Sequence, residues 1–265
     1  MSGDEERERL RLTFTEDAEL YDRVRPGYPA RLFDDLARYA ELGARSRVLE
    51  VGCGTGKATV PLAERGYRVQ AVELGAELAA VTRRRLAGFP DVAVTVGAFE
   101  EWALPAEPFD LVIAATAFHW LDPAVRVPKA ADALRPGGTL AVVSTHHVAG
   151  GTLDFFAASQ EHYERFVPGT PPGLRLEPAD AIPRDGAELA ASGRFGPAAF
   201  HRYEWELDYT TREYLDLLCS YSNHRALPAE SRAGLLRALG GLIDGAHGGR
   251  VTKRYLTELL VARRL

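Results

Sequence analysis

Glu50, Gly52, Gly54 and Gly56 stand at alternate positions in VLEVGCGTGKAT (residues 48–59), a short apolar run that ends in a tight glycine turn and a helix start. Glycines at such a turn let the backbone bend sharply and let a ligand approach without meeting a Cβ, while the following helix presents unpaired N–H groups. Two phosphate-binding readings fail on spacing. A dinucleotide fingerprint needs G-x-G-x-x-G, and Lys57 stands where the third glycine belongs. A P-loop needs G-x-x-x-x-G-K-[ST], and Val51 and Ala58 occupy its first-glycine and hydroxyl positions. What remains suits a ligand that carries an ammonium, a carboxylate and an adenosine, with Glu50 placed to orient the amino group directly or through water.

Glu73 ends the next strand, about 20 residues past the loop, where an acidic side chain accepts hydrogen bonds from both ribose hydroxyls. Taken by itself it also reads as a surface acid near the start of the next helix. GAFEEW (residues 97–102) offers Ala98 and Phe99 to an adenine face, although an aromatic there is otherwise ordinary core. His119 follows the fourth strand, at the edge where ligands bind in such sheets. It is open to three roles: a base toward a phenol, hydroxyl or amine, a hydrogen bond to a cofactor, or a purely structural part of the turn. Trp120 beside it offers a π face to a cationic ligand or belongs to the core. Tyr21, Arg25 and Tyr28 precede the first strand, with the Arg25 fork suited to a carboxylate of cofactor or substrate or left in solvent. His146 and His147 end the fifth strand and are candidates to face an acceptor. No H-x-x-x-H, H-E-x-x-H or acidic metal loop occurs, and Cys53 and Cys219 do not form a C-x-x-C pair, so no metal is expected.

These groups need a sheet to hold them. Apolar runs at 47–52, 67–74, 92–97, 109–115 and 139–145 alternate with helical patterns at 57–66, 75–88 and 122–138, the order of a doubly wound α/β fold with a parallel sheet. Ahead of them, residues 6–42 read as two helices split by the stiff turn RPGYP (25–29), a lid. After them comes an amphipathic stretch at 153–167 and a Pro- and Gly-rich region. A strand at 200–209, helices at 210–225 and 228–247 and a strand at 250–264 close the chain. The expected organisation is a helical lid over 1–42, a cofactor-binding core over 43–145, an insertion or substrate cap over 146–199, and a completing segment over 200–265.

With 265 residues, 46% hydrophobic and 26% charged, the chain has the balance of a soluble globular protein, which excludes disorder and fibre. A net charge of −5 gives no pull toward nucleic acid, and no apolar run approaches the roughly 20 residues of a membrane span. The charged start is unlike a secretory signal, so a cytoplasmic protein with a small-molecule partner is expected. Oligomeric state is not written in the pattern.

Assembled, these parts resemble the class I S-adenosylmethionine-dependent methyltransferases over residues 21–145. VLEVGCGTG matches their first motif, Glu73 their acidic ribose residue, GAFEEW their adenine segment, FDLVIAATAFHWLD their fourth strand, and LRPGGTLAV their fifth-strand approach. YDRVRPGYP with AFHW is similar to the trans-aconitate methyltransferase-like group, which methylates small molecules. The resemblance implies S-adenosylmethionine as cofactor and a Rossmann-like seven-stranded sheet with the last strand antiparallel beside the fifth. It also implies a cofactor set of Tyr21, Arg25, Glu50, Gly52, Gly54, Gly56, Glu73, Leu74, Ala98, Phe99, Glu100, Ala115 and Trp120. Acceptor contacts are expected from Tyr28, His146 and His147, with His119 as base or positioning group. Many relatives place an Asp where this chain has Ala98, so adenine recognition is expected to rest on backbone near Phe99 or on Glu100. A non-catalytic cofactor-binding protein on the same fold and a NAD-dependent oxidoreductase are the competing readings.

Overall fold

The structure is a computed structural model that describes residues 17–265. The part of the expected lid before residue 17 lies outside the described residues. The chain divides into two compact units. The first holds Pro26–Thr145, Arg184–Tyr203 and Thr257–Leu265; the second holds the described residues up to Arg25, His146–Pro183 and Glu204–Leu256.

In the first unit, β1 (Arg47–Val51), β2 (Arg68–Glu73), β3 (Val92–Val96) and β4 (Phe109–Ala115) alternate with α3 (Thr59–Glu64) and α4 (Ala76–Arg85). Then follow α5 (Pro123–Ala133), β5 (Leu134–Val148), α7 (Ala187–Ala191), β6 (Ala199–Thr210) and β7 (Arg250–Arg263), with α2 (Ala30–Tyr39) ahead of β1. The strands form one seven-stranded sheet in the order β3-β2-β1-β4-β5-β7-β6. Strands β3, β2, β1, β4 and β5 pair in parallel. Strand β7 runs the other way beside β5: Arg264 N donates to Gly138 O, while Thr257 Oγ1 meets Thr145 Oγ1, so one chain rises as the other falls. The seven-stranded sheet with its last strand antiparallel beside the fifth is as the family resemblance implies.

The parallel strands are apolar on both faces because helices cover both, and alternate side chains enter different cores. Leu49, Val51, Val112 and Ala114 pack with Phe109 and Leu140 on one face. Val48, Leu111, Ile113 and Ala115 pack with Leu32, Phe33 and Leu36 of α2 on the other. Helix α5 starts where Asp122 Oδ1 accepts from Ala124 N at 2.8 Å with Pro123 at its first position, and it stops before Pro136.

Two boundaries differ from the sequence expectation. β5 begins at Leu134 rather than at 139, because Leu134 pairs with Phe109 and is fully buried; the register then shifts before Leu111 meets Thr139. The expected helix over 210–225 is two helices, α8 (Thr211–Cys219) and α9 (Ser222–Arg225). Ser220 Oγ turns back to Leu217 O at 2.6 Å and takes over a carbonyl that a continuing helix would use.

The second unit contains α1 (Ala18–Val24), α6 (Leu153–Phe166), α8, α9, α10 (Ala229–Ala246) and the remaining stretches of β5, β6 and β7. Its own core comprises Phe155, Tyr209, Tyr214, Leu217, Leu235, Leu239, Ile243 and Tyr255. Helix α8 starts at a reciprocal cap between Thr210 and Glu213. Among the described residues, no helix is long and apolar enough to cross a membrane.

Candidate functional site

The glycine loop sits at the carboxyl end of β1, where the chain must turn at once into α3. Gly52, Gly54 and Gly56 all adopt left-handed φ, at 69°, 57° and 84°. Gly52 N donates to Val72 O at 2.8 Å, which ties the start of the loop to β2. A Cβ on Gly52 would lie 2.6 Å from Ala117 Cβ, so glycine is required both by conformation and by the close approach of the turn after β4. Gly52→Ala is therefore expected to cost at least about 1–2 kcal/mol from the left-handed conformation alone, with the clash in addition. Urea unfolding reads this, and an unchanged midpoint would refute the packing argument.

Two carboxylates flank the loop in different ways. Glu50 is 1% exposed, and its Oε2 has no hydrogen-bond partner among the described residues. Burial raises its pKa to about 8; the nearby Thr59 hydroxyl opposes the rise and the Glu73 charge adds to it. Glu73 spends both oxygens on backbone: Gly54 N donates to Oε2 at 2.7 Å and Gly75 N to Oε1 at 2.8 Å. It thus fixes the loop to the start of α4. Thr82 Oγ1 adds a bond to Gly54 O at 2.7 Å. Cys53 is buried, and burial together with the Glu50 and Glu73 charges drives its thiol pKa well up, so it is inert.

The adenine segment follows β3. Gly97 N donates to Glu73 O at 2.9 Å, which places 97–100 beside the end of β2. The Phe99 ring is 2% exposed and packs in the core with Lys129 Nζ 5.5 Å from its centre, leaving its backbone rather than its face for a ligand. Glu100 Oε1 accepts from Asp122 N at 3.1 Å, and Lys129 donates to Glu100 O at 2.8 Å. Leu74 is half-buried directly after Glu73, Ala98 is half-buried after Gly97, and Ala115 is buried at the end of β4.

Beyond β4 lies a residue that the sequence pattern does not single out. Thr116 has φ 55°, a left-handed conformation that β-branched residues seldom adopt and that tends to gather at functional sites. Its Oγ1 lies 2.5 Å from Tyr28 Oη, so the RPGYP turn reaches the end of β4. No local signal marks a threonine for this role. His119 and Trp120 follow in a single helical turn with ring centres 4.9 Å apart. The His119 side chain is exposed; crowding by its surroundings and then the Arg126 charge lower its pKa below 6.5. At neutral pH it is the neutral imidazole, able to accept a proton.

Tyr21, Arg25, His146 and His147 belong to the second unit. Arg25 lies between the Tyr21 and Tyr221 rings at 5.1 and 4.3 Å, and its Nη2 donates to Ser220 O at 2.8 Å. Aromatic and backbone contacts thus place the fork, while its buried Nε has no partner among the described residues. His146 is half-buried. His147 packs edge-on to Phe156 at 4.4 Å, and burial followed by the Lys253 charge lowers its pKa to about 3. Among the described residues, no cluster of three or more His, Cys, Asp or Glu is placed to hold a metal.

Comparison with known proteins bears on this arrangement. The family model of the methyltransferase domain matches residues 48–138, from β1 through the glycine turn before the inner part of β5. An uncharacterized methyltransferase of Mycobacterium tuberculosis is 33% identical over 231 residues, covering 86% of this chain and 84% of its own. This chain belongs to the methyltransferase family. A further relative of the methyltransferase, trans-aconitate 2-methyltransferase of Azoarcus sp., is 37% identical over 183 residues, covering 68% of this chain and 66% of its own. Among solved structures, a protein described as a type II methyltransferase from Anaeromyxobacter dehalogenans superposes with TM-score 0.61 at 24% identity, covering 90% of this chain and 97% of that one. Phosphoethanolamine N-methyltransferase 2 of Haemonchus contortus, in complex with phosphomonomethylethanolamine and S-adenosylhomocysteine, superposes with TM-score 0.55 at 18% identity. It covers 97% of this chain and 59% of that one. Both likenesses are of fold.

The methyltransferase fits a sulfonium amino-acid nucleoside at its glycine loop on two observations. The buried, unpartnered Glu50 oxygen calls for a donor such as an ammonium. The glycine at 52 keeps backbone where a side chain would collide with the turn after β4.

Proposed function

We propose that this methyltransferase transfers the sulfonium methyl of S-adenosylmethionine to a small organic acceptor, an organic acid among the candidates, without a metal. The observation that carries the reading is the orphaned Glu50 oxygen beside a left-handed glycine loop that Glu73 pins from β2. The cofactor supplies an already activated methyl group, so the protein's work is alignment and exclusion of water. In this reading Glu50 receives the ammonium, the loop backbone approaches the nucleoside, Glu73 accepts from the ribose, and backbone near Phe99 together with Glu100 borders the adenine. Leu74, Ala98, Ala115 and Trp120 complete the cofactor's surroundings, with Tyr21 and Arg25 assigned to its amino-acid end. Tyr28, His146 and His147 are the acceptor candidates.

The likeness to a trans-aconitate 2-methyltransferase supports an acid as acceptor. A carboxylate is already ionised and needs no base; a phenol, hydroxyl or amine would use His119, which is neutral and able to take a proton. His119→Ala is expected to lower kcat by roughly 100-fold with cofactor affinity unchanged if it takes that proton, the range of general-base catalysis. An equal loss in both, or in neither, removes the base.

Calorimetric titration with S-adenosylmethionine, S-adenosylhomocysteine and NAD in parallel tests the cofactor. Selective binding of the first two is expected, followed by turnover in a screen that begins with small carboxylic acids. Binding of NAD alone would favour the oxidoreductase, and cofactor binding with no turnover on any acceptor class would favour a non-catalytic binding protein.

A further inference from the structure

The second unit contains a cavity of about 340 Å³ whose wall includes His147, one of the acceptor candidates. It lies among α6, the segment after it, and the junction of α8 and α9. Its walls are largely apolar, with Phe156, Leu176 and Leu227 prominent, and none of its lining residues is acidic. A volume of this size belongs to the small-molecule class of sites, in which an apolar pocket holds a few convergent polar groups.

Those polar groups are specific. His147, at the end of β5, has a buried Nε2 without a hydrogen-bond partner among the described residues, an unmet polar atom in a wall residue. His224 is 6% exposed; its Nε2 lies 3.0 Å from Tyr163 Oη and its Nδ1 2.9 Å from Asn223 Oδ1, so its ring is fixed from both sides. At the rim, Leu174 exposes 55% of its surface, and Arg175 beside it is exposed, its Nη1 donating to the Leu174 carbonyl at 3.0 Å.

Cations stand behind the Tyr214 wall of the cavity, while the Glu164 carboxylate accepts from Gly173 N at 2.7 Å in the rim segment. Lys253 is 3% exposed, and its Nζ lies 6.0 Å from the centre of the Tyr214 ring, which is part of the wall. Its hydrogen-bond partner is a phenol, Tyr221 Oη at 3.2 Å, and no described carboxylate forms an ion pair with it. Arg25 stacks on the same Tyr221 ring at 4.3 Å. A buried ammonium without a carboxylate is costly; the Tyr221 phenol, in which burial is outweighed by Lys253 and Arg25 so that the pKa is drawn down, meets part of that need, and an incoming anion would add to it. The two wall histidines feel these cations: burial and then Lys253 lower His147 to about 3, and burial, Lys253 and Arg25 lower His224 to about 4. Both rings are therefore neutral hydrogen-bonding groups at physiological pH, held in a positive potential.

We infer that this cavity binds a small organic anion with an apolar or aromatic body, its charge directed toward the Lys253 side and its body against Phe156, Leu176 and Leu227. His147 Nε2 exchanges a hydrogen bond with the ligand. Cationic ligands are excluded by the same potential, and neutral isosteres lose the attraction. The inference rests on the proposed reading only in that His147 is an acceptor candidate there; it concerns binding alone and is tested without cofactor, so its failure is distinguishable from failure of the cofactor reading.

The test uses the full chain with ring-labelled histidine, titrated at pH 7 with phenylacetate and with its neutral isostere phenylacetamide, and followed by NMR. His147→Gln and His224→Gln assign the two signals. Phenylacetate is expected to shift both and to saturate at a concentration at least tenfold below the amide. Arg175→Glu, at the exposed rim, should weaken the acid at least threefold and leave the amide unchanged. Lys253→Met should bring the acid to the level of the amide; should that variant not fold, the isostere comparison and Arg175→Glu decide. An acid that binds no tighter than the amide, or that leaves both histidine signals in place, overturns the inference.

Discussion

Glu50→Gln should weaken S-adenosylmethionine binding by roughly 30-fold to several thousand-fold, the consequence of removing one partner from a buried charge pair worth about 2–5 kcal/mol. The substitution is isosteric, and in the ligand-free protein it replaces an oxygen that has no partner, so the fold should survive it. The pH dependence is the sharper measurement. Burial holds Glu50 at about 8, so at pH 7 the ligand-free protein carries it mostly protonated. An ammonium is best met by the carboxylate, so binding at pH 7 should release close to one proton. Calorimetry in buffers of different ionisation enthalpy counts that proton. Affinity should then rise up to tenfold per pH unit toward pH 8, and fall beyond it as the ligand's own amino group, with a pKa of about 7.7–8.0, loses its charge. Glu50→Gln should release no proton and show no rise below pH 8. Binding by wild type without proton release would break the assignment of Glu50 to the ammonium.

Stability must follow the same titration. The folded-state pKa of Glu50 lies above its value of 4.5 in an unfolded chain, so the native protein holds the proton more tightly. This contribution is fully present below pH 4.5 and is lost as pH rises through about 8. Each unit of difference corresponds to about 1.4 kcal/mol. Urea unfolding of the ligand-free protein should accordingly show stability falling between pH 5 and pH 8 more steeply in wild type than in Glu50→Gln. Coincident curves would mean that Glu50 is solvated and ionised in solution.

The contrast between Glu50 and Thr116 shows what a sequence of this kind reveals. The strand-turn-helix pattern and the spacing E-x-G-x-G-x-G announce the loop because each glycine answers a local backbone demand, a left-handed φ that few other residues meet. Alternation of apolar runs and helical periods announces the parallel strands for the same local reason. Thr116 carries no such mark: its left-handed conformation and its bond to Tyr28 arise from the contact between the RPGYP turn and the end of β4. Phe99 errs in the other direction, since an aromatic at a ligand edge and one in a core look alike until Lys129 and the core residues are seen around it. The antiparallel β7 is written into the chain only through family resemblance, because nothing in an apolar run tells which neighbour it will pair with. The cationic surroundings of the second-unit cavity are likewise invisible along the chain: Arg25, Tyr221 and Lys253 come from three distant segments.

Glu73 is where the family resemblance and the geometry assign different work to one side chain, and the two can be separated. The resemblance gives it the ribose; the structure gives it the backbone N–H groups of Gly54 and Gly75. A hydrogen bond to an ionised group contributes about 1.5–3 kcal/mol, so Glu73→Ala forfeits two such bonds and leaves two amides to find other partners. Loss of at least 100-fold in S-adenosylhomocysteine affinity is expected, together with a fall of about 2–4 kcal/mol in unfolding free energy. Loss of affinity alone does not identify the ribose, because a loosened loop would weaken every part of the ligand. Adenosine and 2′-deoxyadenosine resolve this: if Glu73 accepts from the ribose, wild type should prefer adenosine and Glu73→Ala should bind the two alike. A preference that survives the substitution would mean that Glu73 serves the ligand only through the loop, by holding Gly54 against β2 and Gly75 at the start of α4.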